Sequence, residues 1–208
     1  MRTQLPIKAG NEALGLCMRL VDKTALIIID QQQGLDHPKL RARNNPNAEI
    51  IMLQLLHEWR AMQWPIFHIK HRSVEPDSVF WPLQSGFEFK VEFVPRDRER
   101  VVEKSIPCAF LKTGLGEILE QQTINTIVLV GATTNNSIEA TARTAGNLGL
   151  RVLVVEDACF TFAKADYFGT ERTATEVHAM SLANIHGEYA QVVNSRNLLT
   201  SISQNPRR

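Results

Sequence analysis

Continuous runs of aliphatic and β-branched residues constrain the fold of this chain more than any other feature. The clearest run covers residues 24–29 and is followed directly by Asp30. Apolar runs of this length, without alternation, are typical of strands that are buried on both faces of a parallel sheet. Similar runs cover residues 126–131, 151–155, 64–69 and, more weakly, 189–193.

Amphipathic helical patterns lie between these runs, at residues 48–59, 113–121, 136–148 and 173–185. Asn47 or Pro46 can begin the first helix, and Gly149 can end the third. Residues 72–112 hold no long periodic run, which is typical of a functional cover or a set of short elements. Strands that alternate with helices predict an α/β fold: a three-layer, doubly wound, mostly parallel sheet with helices on both faces.

The length of 208 residues, 44% of them hydrophobic, suits one domain with a sizeable core. We predict a single domain over residues 1–208, with residues 1–22 as a lead-in segment and about 196–208 as a tail. The net charge of +1 and the dispersed basic residues predict no nucleic-acid partner. A polar N-terminus and the absence of a long apolar run predict no membrane association and a cytoplasmic location.

The three cysteines, Cys17, Cys108 and Cys159, indicate neither a disulfide framework nor a zinc site. Their number is odd and no Cys-x-x-Cys pair occurs, which favours a reducing compartment. Four histidines also lack the spacing of metal ligands: His68, His71, His178 and His186. We therefore expect no metal and no other cofactor.

Polar residues follow the predicted strands at the edge where open parallel sheets bind ligands. Asp30 follows the first strand, and His71 and Arg72 follow the second. The TTNNS stretch follows the run at residues 126–131, and Glu156-Asp157 follows the run at residues 151–155. We expect the functional site to lie among these segments.

Three segments, read together, resemble one known family. IIIDQQQG contains Asp30, PRDRERVVEKSIPCAFLKTGL contains Lys104, and VLVGATTNNSIEATARTAG contains Ser137. In this order and spacing they resemble the isochorismatase-like (cysteine hydrolase) family over about residues 22–195. The resemblance implies that three strand ends supply an aspartate, a lysine and a cysteine to one small-molecule site.

The resemblance also implies a role for each matching position. Asp30 would act as the base for the nucleophile, Lys104 would favour an anionic nucleophile, and Ser137 stands at the position of the nucleophilic cysteine. Ala132-Thr133 matches a peptide bond that is cis in the family, beside an oxyanion hole formed by the N–H groups of Thr133 and Ser137. The residues expected to line the substrate pocket are Gln32, Trp81, Phe110 and Asn136.

Serine at position 137 departs from the family pattern. A cysteine thiol has a pKa of about 8.5, which a lysine or a helix N-terminus readily lowers. A serine hydroxyl instead needs a base that takes its proton during the attack. Three interpretations remain open: Ser137 is a true nucleophile, it is an engineered replacement of a cysteine, or the site does not use covalent catalysis.

We predict a metal-independent hydrolase that cleaves a small-molecule C–N bond of amide or ureide type through Asp30, Lys104 and Ser137. One alternative is a non-covalent vinyl-ether hydrolase of the isochorismatase type, with the aspartate as acid. Another is a catalytically silent homologue that binds a metabolite. The family implies a homodimer or homotetramer, and the Asp-x-His pair that holds a metal in its nicotinamidases is missing from residues 50–75.

Overall fold

Strands and helices alternate along residues 24–203, the part of the chain that this computed structural model describes. The strands are β1 (Thr24–Ile29), β2 (Ile66–His71), β3 (Arg100–Lys104), β4 (Thr126–Ala132), β5 (Arg151–Phe160), β6 (Lys164–Ala165), β7 (Glu171–Arg172) and β8 (Gln191–Val193). The helices are α1 (Ala48–Met62), α2 (Leu115–Gln121), α3 (Glu139–Asn147), α4 (Ala174–Ile185) and α5 (Ser195–Ser203).

Six of the strands form one parallel sheet in the order β3-β2-β1-β4-β5-β8. The remaining two, β6 and β7, form a small antiparallel hairpin. The chain adds strands outward in both directions from β1 and β4, so the topological switch point lies between these two strands. The predicted α/β fold with a mostly parallel sheet is confirmed.

Both faces of the sheet are covered by helices, which explains the unbroken apolar runs. Leu26 and Ile28 of β1 face a core that contains the buried side chains of α1 and α5. Ala25 and Ile27 face the opposite core, which contains buried side chains of α2, α3 and α4. Because each central strand lies between two cores, successive residues are apolar instead of alternating.

Two segments differ from the prediction. Strand β3 lies in residues 72–112, where the sequence predicts no strand, because this edge strand has only two buried residues, Val102 and Lys104. Strand β5 runs through Glu156-Asp157 to Phe160, so these two acids lie inside the strand and not after it. The pairing register between β4 and β5 shifts between Leu129 and Gly131, and β5 continues beyond this irregularity.

The end of the described chain is also more ordered than predicted. The expected tail from about residue 196 contains helix α5, which buries Leu198 and Ile202 in the core beside α1. The predicted lead-in at residues 1–22, together with Cys17, and the last five residues, 204–208, lie outside the described residues. Within residues 24–203, no helix combines the length and the apolar character that crossing a membrane requires.

Strand β4 approaches β1 very closely at Gly131. This residue has a φ of 121°, and a Cβ atom at this position would lie 2.2 Å from the carbonyl oxygen of Ile29. Such a contact and such a backbone conformation are both available only to glycine. Gly131 therefore allows the ends of β1 and β4 to meet at the switch point, where Asp30 and Ser137 follow.

Candidate active site

Asp30 lies directly after β1 and turns its carboxylate into the edge of the sheet. Its backbone N–H donates to the carbonyl oxygen of Ile69 at 2.9 Å, which continues the pairing with β2. Its φ of 55° lies in the left-handed region, which aspartate adopts more readily than most residues. The residue is only 5% exposed, so its negative charge must be compensated by its neighbours.

Lys104, the last residue of β3, supplies that compensation from the neighbouring edge of the sheet. Its Nζ lies 2.8 Å from Asp30 Oδ2, 3.2 Å from Ser137 Oγ and 3.2 Å from His71 Nδ1. An ammonium group has three N–H donors and no acceptor. Each donor of this buried lysine therefore has one partner in the site.

Ser137 lies in a π-helical turn, Thr134–Ile138, that connects β4 to α3. Its hydroxyl donates to Asp30 Oδ2 at 2.8 Å and accepts from Lys104. The predicted helix over residues 136–148 therefore begins later, at Glu139, because the turn that carries Ser137 is wider than an α-helical turn. The three residues singled out in the sequence come together in one hydrogen-bonded cluster.

One oxygen of the Asp30 carboxylate takes no part in the hydrogen bonds of this cluster. Oδ2 accepts from both Lys104 and Ser137, whereas the buried Oδ1 accepts no hydrogen bond from any residue within 24–203. A buried carboxylate oxygen without a donor is costly. The arrangement therefore suits a donor supplied by a bound molecule.

The turn before Ser137 is held by its own backbone. The peptide bond between Ala132 and Thr133 is cis. The carbonyl oxygen of Thr133 accepts from the N–H groups of Asn136 and Ile138, at 3.1 and 3.2 Å. Thr134 is fully buried, and its hydroxyl lies 2.8 Å from His178 Nδ1 on α4, so α4 supports the turn from outside.

Two of the four residues predicted to line the pocket, Gln32 and Phe110, are buried. The side chain of Gln32 forms hydrogen bonds only with backbone atoms among the described residues. Its Nε2 donates to the carbonyl oxygens of His71 and Phe87, and its Oε1 accepts from the His71 N–H. Phe110 packs into the core beside α2 and α3. Asn136 is exposed on the turn that carries Ser137, and Trp81 is half-buried in the segment between β2 and β3.

His71 belongs to the cluster although the sequence gives it no role. Its position at the end of a strand is visible in the sequence, but its contact with Lys104 depends on the unpredicted strand β3. Burial lowers the pKa of His71, and the positive charge of Lys104 lowers it further, while Asp30 acts in the opposite direction. His71 is therefore a neutral imidazole at neutral pH.

The two described cysteines are buried in the core. Cys108 Sγ donates to Thr144 Oγ1 at 3.2 Å, and burial raises the pKa of the Cys159 thiol far above its ordinary value. Neither side chain is suited to nucleophilic attack in this state. Within residues 24–203, no three side chains of histidine, cysteine, aspartate or glutamate are grouped in a way that could hold a metal ion.

Comparisons with known proteins agree with this architecture. The isochorismatase domain model matches residues 24–196. The crystal structure of an isochorismatase-family protein from Chromobacterium violaceum is 46% identical, with a TM-score of 0.87, and the match covers 89% of this chain and 97% of that chain. The isochorismatase family protein YrdC of Bacillus subtilis is 35% identical over 178 residues, 86% of this chain and 95% of that protein.

A streptothricin hydrolase from Streptomyces noursei is 33% identical over 120 residues, which cover 56% of this chain and 47% of that protein. The family model alone spans most of the chain, including the segments that carry Asp30, Lys104 and Ser137. The chain belongs to the isochorismatase family and is a hydrolase of that family.

Proposed function

We propose that this chain hydrolyses a C–N bond of amide or ureide type in a small molecule, with Ser137 as the nucleophile. The observation that carries the proposal is the hydrogen bond of 2.8 Å from Ser137 Oγ to Asp30 Oδ2. A serine nucleophile needs a base within hydrogen-bond reach, and Asp30 occupies that position. The similarity to a streptothricin hydrolase supports a hydrolytic reaction on a small molecule.

The first half of the reaction forms an acyl-enzyme. Ser137 Oγ attacks the substrate carbonyl carbon while its proton passes to Asp30 Oδ2. The tetrahedral intermediate then collapses, the C–N bond breaks, and the leaving nitrogen takes the proton from Asp30. The products of this half are a free amine and an ester on Ser137.

The second half releases the acid. A water molecule gives a proton to Asp30 and attacks the ester carbonyl carbon, after which the proton passes to Ser137 Oγ as the ester bond breaks. Asp30 Oδ1 accepts no hydrogen bond from residues 24–203, so we assign it as the acceptor for this water or for a substrate N–H. The enzyme returns to its starting state.

Positive charge and backbone donors would stabilise the developing negative charges. Lys104 Nζ lies 3.2 Å from Ser137 Oγ and can follow the charge as the hydroxyl loses its proton. The N–H groups of Thr133 and Ser137 are the donors that we assign to the substrate oxyanion. Removing one such donor in a well-studied protease costs about 3–4 kcal/mol of transition-state stabilisation.

The proposal is tested by mass spectrometry of the protein mixed with 4-nitrophenyl acetate and with a panel of small amides and ureides. We expect an acyl adduct on the peptide that contains Ser137, and no adduct in Ser137→Ala. Ser181→Ala is the matched control, because Ser181 is also buried and also donates to a carboxylate, that of Glu139, at 2.9 Å. This control should acylate like the wild type.

Other outcomes would favour one of the two alternative functions or contradict the role of Ser137. If Ser137→Ala keeps its turnover while Asp30→Ala loses it, the site acts without a covalent intermediate, as in a vinyl-ether hydrolase. If no turnover depends on Asp30, the chain is a silent homologue that binds a metabolite. An adduct on another residue would also contradict the role of Ser137.

A further inference from the structure

His71 and Lys104 are register partners at the ends of two adjacent strands, β2 and β3. The ring nitrogen Nδ1 lies 3.2 Å from Lys104 Nζ, and the ring meets Phe80 edge to face with 5.6 Å between the ring centres. Family membership and the proposed reaction leave His71 without a role. Its contact with the buried lysine suggests one.

The hydrogen-bond chemistry of the two groups fixes the protonation of the ring. Lys104 carries three donors and no acceptor, so His71 Nδ1 must be the acceptor in this contact. A neutral imidazole that accepts at Nδ1 carries its proton at Nε2. A doubly protonated ring has no acceptor, and it would place a second positive charge beside the ammonium group.

Gln32 holds His71 in position from the backbone. Its Oε1 accepts from the His71 N–H at 2.7 Å, and its Nε2 donates to the His71 carbonyl oxygen at 3.0 Å. This pair of hydrogen bonds holds His71 two positions beyond Ile69, the last residue of β2 that pairs with β1. Gln32 therefore connects the segment after Asp30 to the His71 backbone. The His71 ring in turn contacts Lys104.

We propose that His71 is a positioning residue for Lys104, whose third N–H it accepts at Nδ1 so that Nζ stays between Asp30 and Ser137. This inference rests on the proposed function of the same site, since Lys104 matters there through its contacts with those two residues. Without an acceptor at this place, the ammonium group has a free donor in a buried site and can turn away from Ser137.

Protonation of His71 would remove the acceptor. The charged groups that face the ring are Lys104 on β3 and Asp30 after β1, and the pKa of His71 lies below its ordinary value of 6.5 mainly because of burial and then because of Lys104. Activity that depends on the neutral ring is therefore complete above pH 6.5 and is lost as the pH falls through the lowered pKa. Lys104→Met should raise the pKa of His71.

The direct test is a ¹⁵N NMR titration of the histidine rings in the wild type and in Lys104→Met. We expect His71 to carry its proton at Nε2 and to titrate at a higher pH in the variant. His68 on the same strand is the internal control, because its ring contacts Glu99 and not Lys104. A proton at Nδ1 of His71, or an equal pKa in both proteins, overturns the inference.

A second test distinguishes the proposed positioning role of His71 from a contribution of its ring to packing alone. His71→Asn places a carbonyl oxygen near the former Nδ1 position, whereas His71→Leu keeps apolar bulk but offers no acceptor. We expect His71→Leu to acylate with 4-nitrophenyl acetate about tenfold to a hundredfold more slowly, the range for one lost hydrogen bond to a charged group. His71→Asn should recover most of that rate and lose the titration of His71 from the pH profile.

The two tests distinguish failure of the inference from failure of the proposed function. If the wild type forms no adduct on Ser137 while His71 shows the expected proton position and response to Lys104, the serine mechanism fails and the positioning role stands. If the adduct forms and His71→Leu acylates as fast as the wild type, the positioning role fails and the serine mechanism stands.

Discussion

Ser137 and Asp30 are 107 positions apart in the chain, yet the serine hydroxyl donates to the aspartate carboxylate at 2.8 Å. The contact exists because β1 and β4 are neighbours in the sheet, and each chemical group follows its strand at the same edge. Lys104 reaches the same two groups from the outer strand β3. The geometry therefore couples a nucleophile, a base and a cation.

Replacing the hydroxyl by a thiol should reveal the effect of the lysine on the nucleophile. Ser137→Cys places a thiol within reach of Lys104 Nζ, which stabilises the thiolate. We expect iodoacetamide to label this thiol at neutral pH faster than the buried Cys108 and Cys159. Labelled sites and rates would be measured by mass spectrometry of peptides over time.

Two matched variants test the cause of that reactivity. In Ser181→Cys the thiol lies beside the Glu139 carboxylate and should be labelled slowly. Adding Lys104→Met to Ser137→Cys should slow labelling by about tenfold or more, which corresponds to one unit of thiol pKa. Equal labelling with and without Lys104 would contradict the electrostatic role of the lysine.

The ion pair between Lys104 and Asp30 should also dominate the stability of this edge of the sheet. The side chains are 0% and 7% exposed, so Lys104→Met leaves a buried carboxylate without its cation. We expect a loss of about 3–5 kcal/mol in the free energy of unfolding, measured in urea. The double variant Asp30→Asn/Lys104→Met should lose less than the sum of the single changes, and simple additivity would argue against the pair.

The central strands could be predicted from the sequence because burial on both faces gives an unbroken apolar run. Strand β3 could not, since only Val102 and Lys104 of this edge strand are buried. The family resemblance alone therefore identifies Lys104, whereas the sequence shows its neighbour His71 only as a polar residue at the end of a strand. Gln32 bonds to the backbone of His71 and Phe87, and the sequence alone does not distinguish a glutamine with this function from one that faces a ligand.

Glu99 should make stability depend on pH in the acid range. Burial raises its pKa, but hydrogen bonds from Arg60, from the backbone N–H of Arg96 and from His68 outweigh this effect and lower the pKa to about 2. A carboxylate with a lowered pKa stabilises the fold fully above its ordinary value of 4.5. That contribution should be lost as the pH falls from 4.5 towards 2.

The measurement is the urea midpoint of unfolding at a series of pH values. Glu99→Gln should be less stable than the wild type at pH 6 and should approach it at pH 2, because the wild-type contribution then disappears. Arg60→Leu should raise the pKa of Glu99 and so move the loss of stability to higher pH. A constant difference between Glu99→Gln and the wild type across this range would refute the assignment.

The approach of β4 to β1 should tolerate no side chain at Gly131. In Gly131→Ala the new Cβ would lie 2.2 Å from the Ile29 carbonyl oxygen, and the residue would have to keep a φ of 121°. We expect a loss of stability well above the 1–3 kcal/mol of backbone strain alone, seen as insoluble protein or as a large drop in the urea midpoint.

Gly149→Ala is the control, because Gly149 has a φ of 82° but no atom within 4 Å of its added Cβ. It should cost only about 1–2 kcal/mol, the cost of a left-handed conformation. If both variants lose the same amount, the close contact between the strands contributes nothing, and the joining of Asp30 to Ser137 would need another explanation.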